Sequence, residues 1–167
     1  MMSKDKHRLA NQINEGIDDY YKNDKKSNAK HSLKKQEFDK LPIELNPKQD
    51  ILYKGIKSNI LSIVHGPAGT GKTWVACYAA LALLANKKIE KIIITKPIQE
   101  SGEQLGHLPG TVAEKTEPFM KSYISTFEKI LGKQTTGFMI SNEEIVVEPL
   151  AYMRGATYDY SVMLLDE

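Results

Sequence analysis

The sequence predicts an α/β fold in which helices cover both faces of a parallel β-sheet. Apolar runs rich in β-branched residues recur along the chain, as expected of strands that are buried on both faces. Segments with the composition or periodicity of helices separate these runs. A glycine-rich loop also lies between the first run and the helix that follows it. Together these observations predict alternating strands and helices around one sheet.

Length and composition place few limits on this prediction. The chain has 167 residues, of which 41% are hydrophobic and 26% are charged, as is ordinary for a soluble globular domain. No apolar run approaches the roughly 20 residues that span a bilayer, and the N-terminus lacks the apolar segment of a secretory signal. The single cysteine, Cys77, excludes internal disulfides. We therefore expect a cytoplasmic protein with no membrane partner.

The charge distribution divides the chain into two parts. Residues 1–41 contain ten basic and seven acidic side chains and little apolar periodicity. We predict a flexible, Lys-rich arm that is solvated rather than bound to nucleic acid. Residues 42–167 form the predicted domain.

The domain is predicted to open with a helix over residues 47–58. Asn46 suits the N-cap, and Pro47 suits the first helical position because its missing N–H has no partner there. The pattern places three apolar side chains on one side of this helix, namely Ile51, Leu52 and Ile56.

The remaining elements follow from the same signals. We predict buried strands at 59–65, 91–96, 144–148 and 161–165, and helices at 72–85 and 115–131. Residues 98–113 are expected to form a loop and 132–142 a turn or hairpin. A short helix is predicted from Leu150 to Arg154, ended by Gly155.

The glycine-rich segment at residues 66–73 matches the pattern GxxxxGKT at every fixed position. Such a loop surrounds the phosphates of a nucleoside triphosphate, here expected to be ATP, with backbone N–H groups at a helix N-terminus. A lysine in this pattern contacts the β- and γ-phosphates, and the following hydroxyl binds Mg²⁺. The alternative is a glycine-rich turn before an ordinary helix. The residues assigned to the nucleotide are Gly66, Pro67, Ala68, Gly69, Thr70, Gly71, Lys72 and Thr73.

The last strand ends in two acids, as in a Walker B motif. Asp166 is predicted to hold Mg²⁺ through water, and Glu167 to polarise the attacking water. Lys72 and Glu167 are thus the predicted catalytic residues. The alternative is a buried strand that stops at two surface acids. A second acid beside the metal ligand favours hydrolysis over a small-molecule kinase.

Three further side chains are candidates. Gln49 can donate to and accept from an adenine edge at once, or can simply face solvent. Lys96 could contact a nucleic-acid phosphate, a γ-phosphate or solvent alone. Arg154 is either an anion ligand or a charge at a helix C-terminus.

These segments together resemble the PhoH family. The resemblance rests on GPAGTGKT, on TKPIQESGEQLGHLPGTVAEKTEPF, on VEPLAYMRGAT and on LLDE, and it covers roughly residues 45–167. It implies a parallel-sheet P-loop NTPase core like that of RecA and superfamily 1 helicases. It also implies a cytoplasmic ATP-binding protein, linked in bacteria to phosphate starvation.

The resemblance assigns roles to several of the candidates. Gln49 is similar to the adenine-binding glutamine of superfamily 1 helicases. Lys96 replaces the arginine of the family's Thr-Arg-Pro, so a point charge stands where a planar fork is usual. Arg154 matches the arginine of Met-Arg-Gly, whereas Ala156 stands where the family usually has another arginine.

The resemblance also implies a further strand after Glu167 in family members, lying between the strands predicted at 59–65 and 161–165. We therefore interpret the fold as incomplete at its C-terminus. We expect impaired stability and little ATP hydrolysis from the 167-residue chain.

Three functions remain open on this reasoning. The first is an ATPase that acts on nucleic acid, helicase-like on single-stranded RNA, with assembly into a homo-oligomeric ring supplying a partner surface. The second is a nucleotide-dependent binding module or switch with little turnover. The third, disfavoured by the pair of acids at the chain's last strand, is a small-molecule kinase.

Overall fold

The computed structural model describes residues 38–95, 112–148, 150 and 153–165, and for 112–120 it describes the backbone alone. Four helices and three strands lie in these residues. The helices are α1 (Pro47–Ser58), α2 (Lys72–Ala85), α3 (Val112–Leu131) and α4 (Lys133–Ser141). The strands are β1 (Lys91–Thr95), β2 (Ile145–Val147) and β3 (Ser161–Leu165).

The three strands form one parallel sheet in the order β2-β1-β3. Ile92 lies opposite Ile145 on one side and Val162 on the other, so β1 is hydrogen-bonded along both edges. Four of its five residues are buried. The predicted α/β fold with a parallel sheet is therefore confirmed, and strands predicted at 91–96, 144–148 and 161–165 are found.

Helix α2 builds the core between the sheet and the other helices. The small side chains of its alanines let α2 pack closely on β1. The helix also contacts α1, α3 and β3. The predicted bounds of this helix are confirmed. The largest buried side chains of the core come from every layer, namely Leu81, Ile92, Ile94, Phe127, Met139 and Ile145.

Helix α1 begins as predicted, with Asn46 as N-cap and Pro47 in the first turn. The prediction for its apolar side was wrong in one respect, because Ile51 is 71% exposed. The helix instead contacts α2 through Tyr53, whose ring stacks on Tyr78 with centroids 5.3 Å apart. An aromatic contact outside the aliphatic pattern therefore decides which side of α1 faces the core.

Residues 59–65 do not form the predicted buried strand. They are extended but belong to no sheet of the described residues, and their apolar side chains are exposed; Ile63, for example, is 88% exposed. A strand requires a neighbour for its backbone N–H and C=O groups. No described strand lies beside this segment, so its β-branched composition alone does not make it part of the sheet.

The segment predicted as a turn or hairpin, residues 132–142, instead contains α4 (Lys133–Ser141) with its two caps. Gly132 takes a left-handed φ of 85° at the N-cap, and Thr136 donates a hydrogen bond from Oγ1 to the Gly132 carbonyl oxygen. Met139 and Ile140 are buried where α4 packs on α3 and β2. Tertiary packing therefore overrides the weak helix propensity of the glycines and threonines.

Two predictions fall partly or wholly outside the described residues. The loop predicted at 98–113 lies outside the described residues up to position 111, and the prediction was wrong for Val112 and Ala113, which already belong to α3. Of the short helix predicted from Leu150 to Arg154, Leu150, Met153 and Arg154 are described, and the Met153 N–H donates to the Leu150 carbonyl at 3.2 Å. Gly155 follows with a φ of 78°, as expected of a residue that ends a helix.

Phe38, which the predicted arm included, is buried and stacks on Tyr78 with a centroid distance of 4.9 Å. Packing against α2 therefore extends at least four residues, 38–41, into that predicted segment. Residues 1–37 lie outside the described part of the chain. Among the helices that are described, none is both long and apolar enough to cross a membrane.

Candidate functional site

The glycine-rich loop lies at the carboxyl edge of the sheet because of the way α2 connects to β1. Residues 86–90 reverse the chain within five residues, so α2 runs antiparallel to the strand on which it packs. Helix α2 is about 21 Å long at 1.5 Å per residue, and β1 is about 16 Å long. The N-terminus of α2 and the loop before it therefore lie towards the carboxyl ends of β1 and β3, where α/β folds bind ligands.

The loop depends on two left-handed glycines. Gly69 has a φ of 75° and Gly71 a φ of 82°, which residues with a Cβ rarely adopt. A Cβ on Gly71 would also lie only 3.0 Å from Nε2 of Gln49. The tight curl of residues 66–73 therefore requires glycine at these positions.

Lys72 turns its side chain back over the loop. Its Nζ donates to the carbonyl oxygens of Gly66, at 2.9 Å, and of Pro67, at 2.8 Å. The Pro67 carbonyl also accepts a hydrogen bond from Oγ1 of Thr70 at 3.0 Å. The two bonds from the ammonium group place a positive charge against the start of the loop.

Four backbone N–H groups of the loop have no acceptor in the part of the chain that the structure describes. Among the described residues, those of Ala68, Gly69, Thr70 and Gly71 donate no hydrogen bond. The first N–H groups of α2 add the positive end of the helix dipole. This donor set, together with the Lys72 ammonium, is suited to a polyphosphate, whose oxygens accept several hydrogen bonds at once. Thr73, at the second position of α2, is half-buried beside it.

Gln49 reaches the loop from α1. Its Nε2 donates to the carbonyl oxygen of Thr70 at 3.3 Å, and its Oε1 accepts from the backbone N–H of Asn46 at 3.1 Å. The structure therefore brings Gln49 together with the loop residues, as the predicted site requires. The contact with Thr70 was not predicted, although the Asn-x-x-Gln spacing is that of a capping box and could have indicated the fixed side chain.

Arg154 lies in the segment between β2 and β3, after the buried Met153, and it is exposed. An unpredicted hydrogen bond joins the two ends of this segment, since the Tyr158 hydroxyl donates to Oε2 of Glu148 at 2.6 Å. Burial, and then the hydrogen bond and charge of Glu148, raise the pKa of Tyr158 well above its ordinary value. The role of Arg154 as an anion ligand stays a prediction.

The remaining predicted residues, Lys96, Asp166 and Glu167, lie outside the described residues. In the sequence Lys96 directly follows Thr95, and Asp166 and Glu167 are the two residues after Leu165. Thr95 and Leu165 are paired at the carboxyl ends of neighbouring parallel strands. Their predicted roles stay predictions.

The part of the chain that resembles known proteins is nearly the same as the part in which the described fold lies. The sequence profile of the PhoH-like protein family matches residues 43–167. A PhoH-like protein of Bacillus subtilis is 43% identical over 112 residues, which are 67% of this chain and 35% of that protein. A PhoH-like protein of Mycobacterium tuberculosis is 38% identical over 126 residues, covering 75% of this chain and 35% of the relative. Protein PhoH of Escherichia coli strain K12 is 36% identical over 116 residues, 68% of this chain and 33% of its own length.

The matched residues thus span about a third of the length of these curated relatives, at 33–35%. The profile match covers most of the chain and includes the whole loop at residues 66–73. The parallel sheet and the glycine-rich loop before α2 are consistent with a P-loop NTPase core, although residues 59–65 before the loop pair with no described strand. The chain therefore belongs to the PhoH family of P-loop NTPase-like proteins.

Proposed function

We propose that this chain binds ATP with Mg²⁺ at residues 66–73 and hydrolyses it in an activity directed to RNA or another nucleic acid. The observation that supports binding most strongly is the set of loop N–H groups that donate to no acceptor in residues 38–95, 112–148, 150 and 153–165, beside the Lys72 ammonium. Backbone donors grouped at a helix N-terminus stabilise the oxygens of a triphosphate.

Each side chain at the loop has a distinct task in this proposal. Lys72 moves from the carbonyls of Gly66 and Pro67 to the β- and γ-phosphates, where its charge opposes the charge that develops on them. Thr73 and Asp166 hold Mg²⁺, which supplies charge neutralisation at the same phosphates. Gln49 contacts the adenine edge.

Hydrolysis requires a group that orients water against the γ-phosphate, and Glu167 is proposed for it. The bond to the γ-phosphorus forms from the water oxygen, the bond to the β–γ bridging oxygen breaks, and ADP and inorganic phosphate leave. Arg154 and Lys96 are proposed to contact anionic oxygens, of nucleotide or of RNA.

Binding can be followed through Trp74, the only tryptophan of the chain, which adjoins Thr73 and stacks on Tyr78 at 5.6 Å. Titration of the full chain with ATP and Mg²⁺ is expected to change its fluorescence. Lys72→Ala should weaken the affinity for ATP by about tenfold or more, because it removes charge-assisted hydrogen bonds. Lys88→Ala, an exposed lysine beyond the other end of α2, is the matched control and should leave the affinity unchanged.

Phosphate release with and without single-stranded RNA then separates the proposed activities. Release that RNA stimulates supports an ATPase acting on nucleic acid. ATP binding without release supports a nucleotide-dependent switch instead, and an affinity equal in the Lys72→Ala and unsubstituted chains contradicts the proposed site.

A further inference from the structure

We propose that Gln49 is a positioning residue of the phosphate-binding loop, in addition to any contact with the base. Its side-chain amide holds the Thr70 carbonyl so that the N–H of Gly71 is directed to the anion. This inference rests on the proposed nucleotide binding and assigns to α1 a part in it that does not depend on adenine.

The side chain of Gln49 is fixed before it reaches the loop. Gln49 is the third residue of α1 and forms a capping box with Asn46. The backbone N–H of Gln49 donates to Oδ1 of Asn46 at 2.9 Å, and Oε1 of Gln49 accepts from the backbone N–H of Asn46 at 3.1 Å. Because its oxygen is held by a donor in its own helix, the amide must present its NH₂ group elsewhere.

That NH₂ group meets the loop at its last turn. Nε2 donates to the Thr70 carbonyl oxygen at 3.3 Å. The same nitrogen lies 3.0 Å from the position that a Cβ on Gly71 would occupy. Two independent distances thus place the Gln49 amide against the Thr70–Gly71 peptide group, 21 residues away in sequence.

The orientation of this peptide group determines where its N–H points. The described chain contains no cis peptide bond, and in a trans peptide the C=O and N–H point in opposite directions. A Thr70 carbonyl turned towards Gln49 therefore turns the Gly71 N–H away from α1. This N–H is one of the four in the loop that have no acceptor among the described residues.

Helix α1 is itself anchored on the helix that follows the loop. Tyr53 of α1 stacks on Tyr78 of α2 at 5.3 Å, and Trp74, also of α2, stacks on the same Tyr78 ring at 5.6 Å. Gln49 is therefore held by a helix that cannot shift without disturbing α2. One N–H and one lone pair of the amide are not used by these bonds, so a base contact remains compatible with the positioning role.

The test separates the phosphate loop from the base by using two probes, ATP and inorganic tripolyphosphate, each with Mg²⁺. Gln49→Met keeps the length of the side chain and removes both of its hydrogen bonds. We expect it to weaken tripolyphosphate binding by about three- to tenfold, the effect of one neutral hydrogen bond, and ATP binding by at least as much. Asn46→Ala is the matched control, since it weakens the cap of α1 but keeps the NH₂ donor of Gln49.

A second readout follows the ligand-free chain. The Gly71 amide resonance in a ¹⁵N-resolved NMR spectrum should shift in Gln49→Met and stay near its place in Asn46→Ala. Unchanged tripolyphosphate affinity in Gln49→Met, with ATP affinity reduced, would overturn the positioning role and leave only base recognition. Equal losses of tripolyphosphate affinity in both variants would overturn it too, because the cap of α1 would then be responsible. If the unsubstituted chain binds neither probe, nucleotide binding itself fails, and the positioning role fails with it.

Discussion

Two regions of the molecule differ sharply in burial, although both are rich in apolar residues. We call β1 and β2 the packed side, and β3 together with residues 60–64 the open side. On the packed side, β1 and β2 lie under α2, α3 and α4, and Ile94 is 1% exposed. On the open side, β3 has no strand beyond it among the described residues, and its outward-facing Met163 and Leu165 are 44% and 60% exposed. Residues 60–64, which precede the glycine-rich loop, are exposed as well.

The difference shows that apolar composition is not sufficient for a buried strand. Ile92, Ile93 and Ile94 have neighbours on both edges, whereas Ile60 and Ile63 have a similar composition around them and no neighbour. Burial of a strand depends on a partner distant in sequence, since its hydrogen bonds are made between strands and not within it. The same type of residue should therefore have very different energetic effects on the two sides.

The largest expected effect comes from the same substitution made on each side. Ile94→Ala removes buried methyl groups and leaves a cavity, so we expect it to lower the free energy of unfolding by about 2–5 kcal/mol. Ile63→Ala, at an 88% exposed position, should change it by less than about 0.5 kcal/mol. Urea denaturation followed by circular dichroism measures both. Equal losses in the two variants would show that residues 60–64 are buried in solution and would remove the distinction between the sides.

A smaller effect is expected at the end of β2, on the packed side. Tyr158→Phe removes the hydrogen bond to Glu148, and we expect a loss of about 1 kcal/mol at neutral pH. The folded state raises the pKa of the Tyr158 hydroxyl above its ordinary 10.0. Its contribution is therefore fully present below pH 10 and is lost as the pH rises towards the folded-state pKa.

Unfolding at a series of alkaline pH values tests this sign. The difference in stability between the unsubstituted chain and Tyr158→Phe should be constant from pH 7 to about pH 9 and shrink above pH 10. Tyr78, whose pKa burial also raises, is common to both proteins and cancels in the comparison. A difference that grows with alkaline pH would contradict the assigned hydrogen bond.

The smallest effect is expected in self-association through the open side. Exposed apolar side chains next to unpaired strand edges favour contacts between chains. Ile63→Lys should therefore raise, by severalfold or less, the concentration at which the chain associates, as measured by sedimentation velocity. Gln134→Lys, an added charge at an exposed position of α4, is the control. An equal rise in both variants would attribute the effect to net charge rather than to the open side.

The same contrast explains how much of the fold could be predicted. The bounds of α1 and α2 follow from local signals, a cap at Asn46 and a run of alanine and leucine, and the predictions for both were confirmed. Residues 59–65 and α4 were predicted wrongly. Whether a segment is paired, or a glycine-containing segment packs as a helix, depends on contacts that composition does not contain.

The candidate site likewise has a part that could be predicted from the sequence and a part that could not. The glycines of the loop and Lys72 are predictable because their spacing is fixed by one local conformation. The hydrogen bond from Gln49 to Thr70 joins α1 to the glycine-rich loop, between residues that are 21 positions apart in the sequence. Only the packing of α1 on α2 sets that distance.

The central claim is that the loop N–H groups of residues 66–73 hold a triphosphate, and amide NMR tests it most directly. The full ¹⁵N-labelled chain would be titrated with ATP and Mg²⁺ and the shift of every assigned amide recorded. We predict the largest shifts at Ala68, Gly69, Thr70 and Gly71, saturating together with the change in Trp74 fluorescence. Saturable binding with these four amides unmoved, and the largest shifts elsewhere, would contradict the account.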